Sequence, residues 1–449
     1  MVWSTDGKLA TVIGSKGLRV CDAEGAISPV LIDRAGMFRW IPHEHQGVVV
    51  GFDYANSWND LKTVLTDEQQ KLVIKDAALL RKKVFTYHGD RRKFEDSALR
   101  SLGYPLQAAL YLRATSSVDF EKLAVRKWPA YKVVRVPVFN IKSFHIDHQT
   151  VKEGPVIDRS IDEIVELRVS PNGKNLACVK HRRPQETNYI SVFSIAGGEK
   201  LPMVAKDTGV YPDWSADSRY LYYSRINAPG EMNALRIPDL HEGGLFKTEI
   251  VDGAGKLIQK NTSQRLANVI FDLKGPVRAL RDGRVLFLSR QIRFPDALHP
   301  EVPSELFSYS PHNGGRVDNL IHKEKDILYF EPSPDQEQLA VLSGGIITVS
   351  KINGSDPVEV NNKEQEASGI LPQWRTNTEL TYDVKTKPTG NPNKPSYIVM
   401  LWSRNGGNKD LSKNWSKEAL SEVSVHRDLF QDAIGKIIED MDRSAKTKK

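Results

Sequence analysis

Two histidine pairs are the first residues here that could do chemistry. His43-x-His45 and His145-x-x-His148, with Asp147 between the latter two, have spacings at which imidazole and carboxylate groups can chelate a divalent metal. Their surroundings are turn-like and polar, and eleven histidines in 449 residues produce such pairs by accident, so surface histidines are expected and no metal site is assigned. No Gly-x-Ser-x-Gly elbow is present to carry a nucleophile. Ala196-Gly197-Gly198 and Asn405-Gly406-Gly407 sit between strand-like runs rather than ahead of helices, so they do not read as phosphate loops. Cys21 and Cys178 are too few for a disulfide framework or a metal cluster. No catalytic residue and no cofactor are assigned.

Charge offers a second kind of chemistry. The chain carries 63 Lys+Arg against 56 Asp+Glu, a net +7. Most of that excess lies between Lys71 and Arg100, where nine basic residues face four acids. The patch comprises Lys75, Arg81, Lys82, Lys83, Arg91, Arg92 and Lys93, flanked by Lys71 and Arg100. Such a stretch attracts an acidic surface, by protein contact or by counterion release from a polyanion. Aromatic interleaving is sparse (Phe85, Tyr87, Phe94) and no nucleic-acid motif accompanies it, so a solvated helical face or a protein partner is favoured over nucleic acid.

A repeat positions these residues. Trp3-Ser4-Thr5-Asp6-Gly7-Lys8-Leu9-Ala10 returns as Val169-Ser170-Pro171-Asn172-Gly173-Lys174 and as Trp214-Ser215-Ala216-Asp217-Ser218-Arg219. Weaker copies start at Ala279, Pro332 and Trp374, and the most eroded at Trp40. In each copy an apolar anchor ends one strand, a Ser-x-Asp-Gly turn reverses the chain, and a β-branched or aromatic run begins the next strand. A further strand and turn follow, as in Tyr189–Ile195 with Gly197-Gly198. The resulting unit of ~40–50 residues has the length of a β-propeller blade.

This hairpin, followed by a strand ending in x-x-Gly-Gly, resembles the TolB-like propeller repeat, a relative of the WD-repeat propellers. The resemblance covers residues 1 to about 405 apart from one insertion. It implies an all-β propeller of seven blades, with six as the alternative count, and it is nearly silent about activity. Such propellers close by pairing their first and last elements in one blade. Because Met1 stands only two residues before the first anchor, a missing upstream segment is expected, and the resemblance implies export to a bacterial periplasm. Cytoplasmic residence is the other compartment left open.

Two segments fall outside the repeat. Residues 58–130 separate the Trp40 and Val169 anchors within the second blade and read as helical: Val73, Ala77, Leu80 and Val84 share one face behind a Thr66-x-x-Gln69 capping box. Helices are expected over Phe94–Arg113, interrupted at Gly103-Tyr104-Pro105, and over Val118–Lys127, with a returning strand at Val133–Ile141. The tail, 412–449, carries an apolar stripe of Leu420, Val423, Phe430, Ile434, Ile437 and Met441, which predicts an amphipathic helix followed by a basic end. No apolar run approaches the ~20 residues that span a bilayer as a helix.

The residue before each anchor alternates with apolar neighbours, so Arg39, Arg168, Asp213, Arg278, Glu331 and Gln373 should share one face of the inner strands and ring a central channel. Their order lets Arg168, Asp213, Arg278 and Glu331 pair in sequence as an ion-pair belt. Arg39 and Arg168 have no ring acid between them, which makes an anion-accepting mouth the sharper alternative. The expected function is a non-catalytic, protein-binding scaffold. The competing expectation is a metal-dependent lyase or hydrolase of an acidic polymer, in which Arg39 and Arg168 hold carboxylates and His43 or His145 serves the metal.

Overall fold

A computed structural model describes the chain except residues 15, 90–93, 148–149, 183–186, 227–240, 272–274, 291–302, 322, 324, 362–370, 387–395, 417–418 and 420–449. Twenty-eight strands form seven four-stranded antiparallel sheets, blades 1 to 7, over residues 2–33, 35–160, 163–206, 213–271, 277–321, 327–359 and 373–410. This makes a seven-bladed β-propeller. In every sheet the four strands pair in chain order, so each blade is one continuous meander. The expectation of a closing blade that mixes first and last elements is therefore corrected: blade 7 meets blade 1 side by side, between strands Gln373–Trp374 and Val2–Trp3.

The turn grammar has a repeated hydrogen-bond basis. Ser4 Oγ donates to Asp6 Oδ1 and accepts from the Leu9 amide, while the Lys8 amide donates to Asp6 Oδ1. Ser170/Asn172, Ser215/Asp217 and Ser333/Asp335 repeat this set. The next residue takes the left-handed conformation, which glycine adopts without strain at Gly7, Gly173 and Gly283. Ser218 and Gln336 adopt it at φ 61° and 63°. Both reach back to the preceding blade: Ser218 Oγ accepts from the Asn172 amide at 3.0 Å and Gln336 Oε1 from the Arg281 amide at 2.6 Å. Those contacts offset the ~1 kcal/mol or more that a side chain costs there.

The insertion leaves blade 2 at Ala55 and returns at Val136, a pair directly opposed in register. It holds helices α1 (Trp58–Lys62), α2 (Asp67–Thr86), α3 (Pro105–Thr115) and α4 (Val118–Lys127). The Thr66/Gln69 capping box forms, and Val73, Ala77, Leu80 and Val84 are buried. The expected Phe94–Arg113 helix is instead a π-helical turn at Glu95–Leu99 and α3 beginning at Pro105, where the missing N–H costs nothing. The returning strand runs Val136–Asp147 rather than Val133–Ile141, because Pro129–Val133 winds into a 3-10 turn first. The insertion encloses its own apolar core, centred on Leu61, Leu80, Phe94, Ala108 and Leu110. Buried Asp162 of the blade 2–3 junction fastens it, accepting from Gln69 Nε2 of α2 at 3.2 Å and from the Tyr189 hydroxyl at 2.7 Å.

After blade 7 the chain crosses to blade 1, where Trp415 donates from Nε1 to the Gly25 carbonyl at 2.8 Å. Leu411, Trp415 and Ala419 pack with Trp3 and Cys21. The expected tail helix lies outside the described residues from 420 on.

Indole N–H groups cross several blade junctions at the inner end. Trp214 Nε1 donates to the Arg168 carbonyl at 3.0 Å, and the Trp214 side chain is buried among residues of blades 3 and 4. Trp214→Phe keeps most of the volume but leaves that carbonyl without its donor, so a loss of about 1–3 kcal/mol in urea-induced unfolding is expected. An unchanged midpoint would remove the indole from this role.

Candidate functional site

The inner strands carry the ring residues; Arg39, Arg168, Asp213 and Glu331 are about one-fifth to one-quarter exposed and Arg278 is buried. Arg278 dominates. Its Nε lies 3.0 Å from both oxygens of Glu331, Nη2 is 2.6 Å from Glu331 Oε2 and 3.0 Å from the Tyr329 hydroxyl, and Nη1 donates to the Val277 carbonyl at 2.8 Å. Tyr329 also donates to Glu331 at 2.5 Å. Burial pulls the Glu331 carboxyl upward, but Arg278 and then Arg168 outweigh it and hold it below the usual range. The same burial works against Arg278, yet Glu331 keeps its guanidinium firmly charged.

Arg39 folds in the same way three blades away. Nη1 donates to the Phe38 carbonyl at 2.8 Å, Nε to Leu167 O at 3.1 Å and Nη2 to Glu166 Oε1 at 2.5 Å. Glu166 corrects the expectation that no acid serves Arg39 and Arg168. It shares the strand face of Arg168 two residues earlier, a period-2 relation readable in the sequence. Asp213 does not bridge to Arg278 as a sequential belt requires: its Oδ2 accepts from the Ala279 amide at 3.0 Å. Burial raises the Asp213 carboxyl above its ordinary range, more than Arg168 and Arg278 lower it. Arg168 stands 3.9 Å from Asp213 Oδ1 and, across the channel from blade 3 to blade 6, 4.0 Å from Glu331 Oε1. Gln373 donates to the Pro372 carbonyl at 3.0 Å and approaches the Tyr329 hydroxyl at 3.4 Å.

These contacts divide the seven junctions between two devices. Indoles serve four: Trp40 to Val2 O at 2.9 Å, Trp214 to Arg168 O at 3.0 Å, Trp374 to Glu331 O at 2.8 Å, and Trp3 to Thr381 Oγ1 at 3.0 Å. At the other three the anchors are Val169, Ala279 and Pro332, and a charged ring residue of the preceding blade makes the bond: Arg39, Asp213 and Arg278.

The basic patch divides as well. Lys71, Lys75, Arg81 and Lys82 are exposed on α2, together with Ile74, Leu79 and Phe85. Lys83 is half-buried and donates to Ser101 Oγ at 2.7 Å, so it does not belong to that outer face. Arg91, Arg92 and Lys93 lie outside the described residues. Arg81 sits 5.6 Å over the Phe120 ring of α4, and Phe85 packs on the same ring at 5.7 Å. Val118 beside them is 67% exposed, the highest value among the large exposed apolar residues described. Sequence reasoning found the charges and missed these apolar partners. The burial of Val73, Ala77, Leu80 and Val84 is the signal that turns them outward.

His45 and His145 occupy adjoining positions at one end of blade 2, where Gln46 pairs with His145. His148 lies outside the described residues. Among the described residues no group of three His, Cys, Asp or Glu is placed to hold a metal ion, and no helix is long and apolar enough to cross a membrane.

No protein-family model and no curated protein matches this chain. Solved structures do. A TolB from Agrobacterium tumefaciens is similar at 16% identity and a TM-score of 0.38, over 57% of this chain and 83% of that one. The acylaminoacyl peptidase of Pyrococcus horikoshii is similar at 13% identity and a TM-score of 0.39, and the match spans 61% of this chain but 41% of the peptidase. The propeller domain of the Trilobed protease from Pyrococcus furiosus is similar at 10% identity and 0.39, over 62% and 80% of the two chains. The propeller assignment here stands on the seven sheets.

The two ring carboxylates should respond oppositely to substitution. The depressed Glu331 contributes stability above its ordinary pKa that is lost as pH falls; the raised Asp213 contributes only at acidic pH and loses that as pH climbs. At pH 7, Glu331→Gln leaves the Arg278 charge buried and should cost about 3–5 kcal/mol in urea unfolding, a loss that shrinks toward pH 3. Asp213→Asn keeps an acceptor for the Ala279 amide and should leave stability at pH 7 equal or higher. Similar losses for both variants would contradict this division of roles.

Proposed function

We propose that the protein is a non-catalytic propeller that binds an acidic protein partner through the outer face of α2 and the adjoining start of α4. The observation that carries this reading is the mixed composition of that face: Lys71, Lys75, Arg81 and Lys82 interleaved with exposed Ile74, Leu79, Phe85 and Val118. Solvation alone accounts for the charges but not for large apolar side chains left in water beside them. Cations that steer, surrounding an apolar centre that is desolvated on contact, are what protein interfaces use. Asp162 and the insertion's own core hold the surface firmly against the propeller.

The reading also follows from the ring. Most of its charges are engaged in blade junctions, which leaves little of the machinery that a lyase or hydrolase of an acidic polymer would use. A periplasmic location accords with the TolB-like repeat, and fractionation of the native cell tests it directly. The tail stripe at 420–441 is a second segment suited to a partner, on the evidence of its apolar spacing alone.

The decisive comparison uses Lys75→Glu, Arg81→Glu and Lys82→Glu combined, and Phe85→Ala separately. A partner that co-purifies stoichiometrically with the unaltered chain from its native source should be lost with the charge-reversed chain. It should be weakened about tenfold or more by Phe85→Ala, and released as salt rises toward about 0.5 M. Melting temperatures should fall by only a few degrees, since the side chains are largely exposed and lose no more than the contacts of Arg81 and Phe85 with the Phe120 ring. Undiminished partner binding by the charge-reversed chain would overturn the proposal.

A further inference from the structure

Arg168 differs from the other two ring arginines. Arg39 and Arg278 each return Nη1 to the carbonyl of the residue before them and spend Nε and Nη2 on the next blade. Arg168 does neither, because the next blade presents Trp214, which takes the Arg168 carbonyl and offers its side chain no acceptor. Among the described residues the Arg168 guanidinium makes no hydrogen bond, and its Nε and Nη2 are buried without partners. The carboxylates nearest to it, at 3.9 and 4.0 Å, are beyond hydrogen-bonding distance and already accept from Ala279 and from Arg278 and Tyr329. Those carboxylates hold the charge in place without saturating its donors.

Nη1 is not among the buried atoms, and about one-fifth of the side chain is open to the channel. Beside it stands Tyr211, whose ring meets Tyr329 edge-to-face at 6.2 Å. Tyr329 in turn bonds Arg278 and Glu331, so the Tyr211 ring lies at the edge of the charged ring. Arg168 and Glu331 approach each other across the channel at this level.

We propose that the channel at Arg168 is a carboxylate-binding site, with the Arg168 guanidinium as the principal donor and the Tyr211 hydroxyl as the second. A planar guanidinium fork with unspent N–H groups matches the two oxygens of a carboxylate, and a phenol adds one more donor at the rim. Asp213 and Glu331 stand at 3.9 and 4.0 Å, too far to form the paired hydrogen bonds a carboxylate would make with the guanidinium. The site is separate from the α2 face, and either can fail without the other.

Calorimetric titration at low ionic strength tests it, with acetyl-triglutamate amide and succinate as probes and acetyl-triglutamine amide as the uncharged control. The glutamate peptide should bind the unaltered protein at least about tenfold more tightly than the glutamine peptide. Arg168→Gln should remove that preference, and Tyr211→Phe should reduce it several-fold. Arg168→Lys, which keeps the charge but loses the fork, should retain only part of it; this variant also covers the case in which Arg168→Gln fails to fold. Binding of succinate as tight as that of the peptide would make the ligand a free small carboxylate; preference for the peptide would make it a side chain on a polymer. The titrations are repeated in the Lys75→Glu, Arg81→Glu, Lys82→Glu background, which removes attraction of the probe to the α2 face, and the Arg168-dependent preference should persist there. Equal binding of the glutamate and glutamine peptides, or an Arg168→Gln protein that binds as before, would overturn the proposal.

Discussion

The bond across each blade junction at the inner end is the interaction on which the rest of this molecule depends. Seven meanders, each complete in itself, have no shared strand to close the ring, so closure is the sum of seven side-by-side contacts. The inner strands of blades 4 and 7 are two residues long and pair with one neighbour strand only, leaving backbone groups that need partners outside the sheet. A tryptophan anchor answers both demands: its ring fills the space between sheets and its N–H takes the neighbour's carbonyl. Where the anchor is Val169, Ala279 or Pro332, no such donor exists, and the ring residue one blade earlier is charged and reaches across instead.

That substitution explains the composition of the channel better than ligand binding does. Arg39, Asp213 and Arg278 precede the three junctions without an indole, and Glu166 and Glu331 are present as the counter-ions of the two arginines. Charges in this ring are the polar half of a packing solution. Arg168 is the exception because its junction is already served by Trp214, and its guanidinium bridges no junction by a hydrogen bond.

The insertion follows a different logic. It enters and leaves blade 2 at opposed residues, Ala55 and Val136, so about eighty residues add no strain to the sheet. Its core is its own, and Asp162 ties it to the propeller through Gln69 and Tyr189. Burial of Asp162 raises its carboxyl above the ordinary range despite those hydrogen bonds, a cost the fold sustains in exchange for a fixed attachment. The fastened α2 then displays cations and apolar side chains together.

Much of this was readable before any coordinates. The repeat of Ser-x-Asp-Gly turns, the seven anchors, the capping box at Thr66 and the inward face of α2 are local patterns, set by backbone preference and periodicity. Strand alternation likewise placed the six ring residues on one face. The chain's own order disclosed the neighbouring pairs Arg168–Asp213 and Arg278–Glu331 but not the break between them or the contacts outside the ring order. Arg278 passes over nearby Asp213 to grip Glu331, Arg39 finds Glu166 on the next blade, and Arg168 faces Glu331 across the channel. Those distances arise from the circular arrangement, which brings residues from blades 3 and 6 together although 163 positions separate them. In the same way the charges of α2 were visible as composition, but the exposure of Phe85 and Val118 follows from how α2 and α4 pack. Sequence determines which faces exist because side-chain direction is local; tertiary structure decides which groups remain unspent, because only the closed ring settles every donor and acceptor at once.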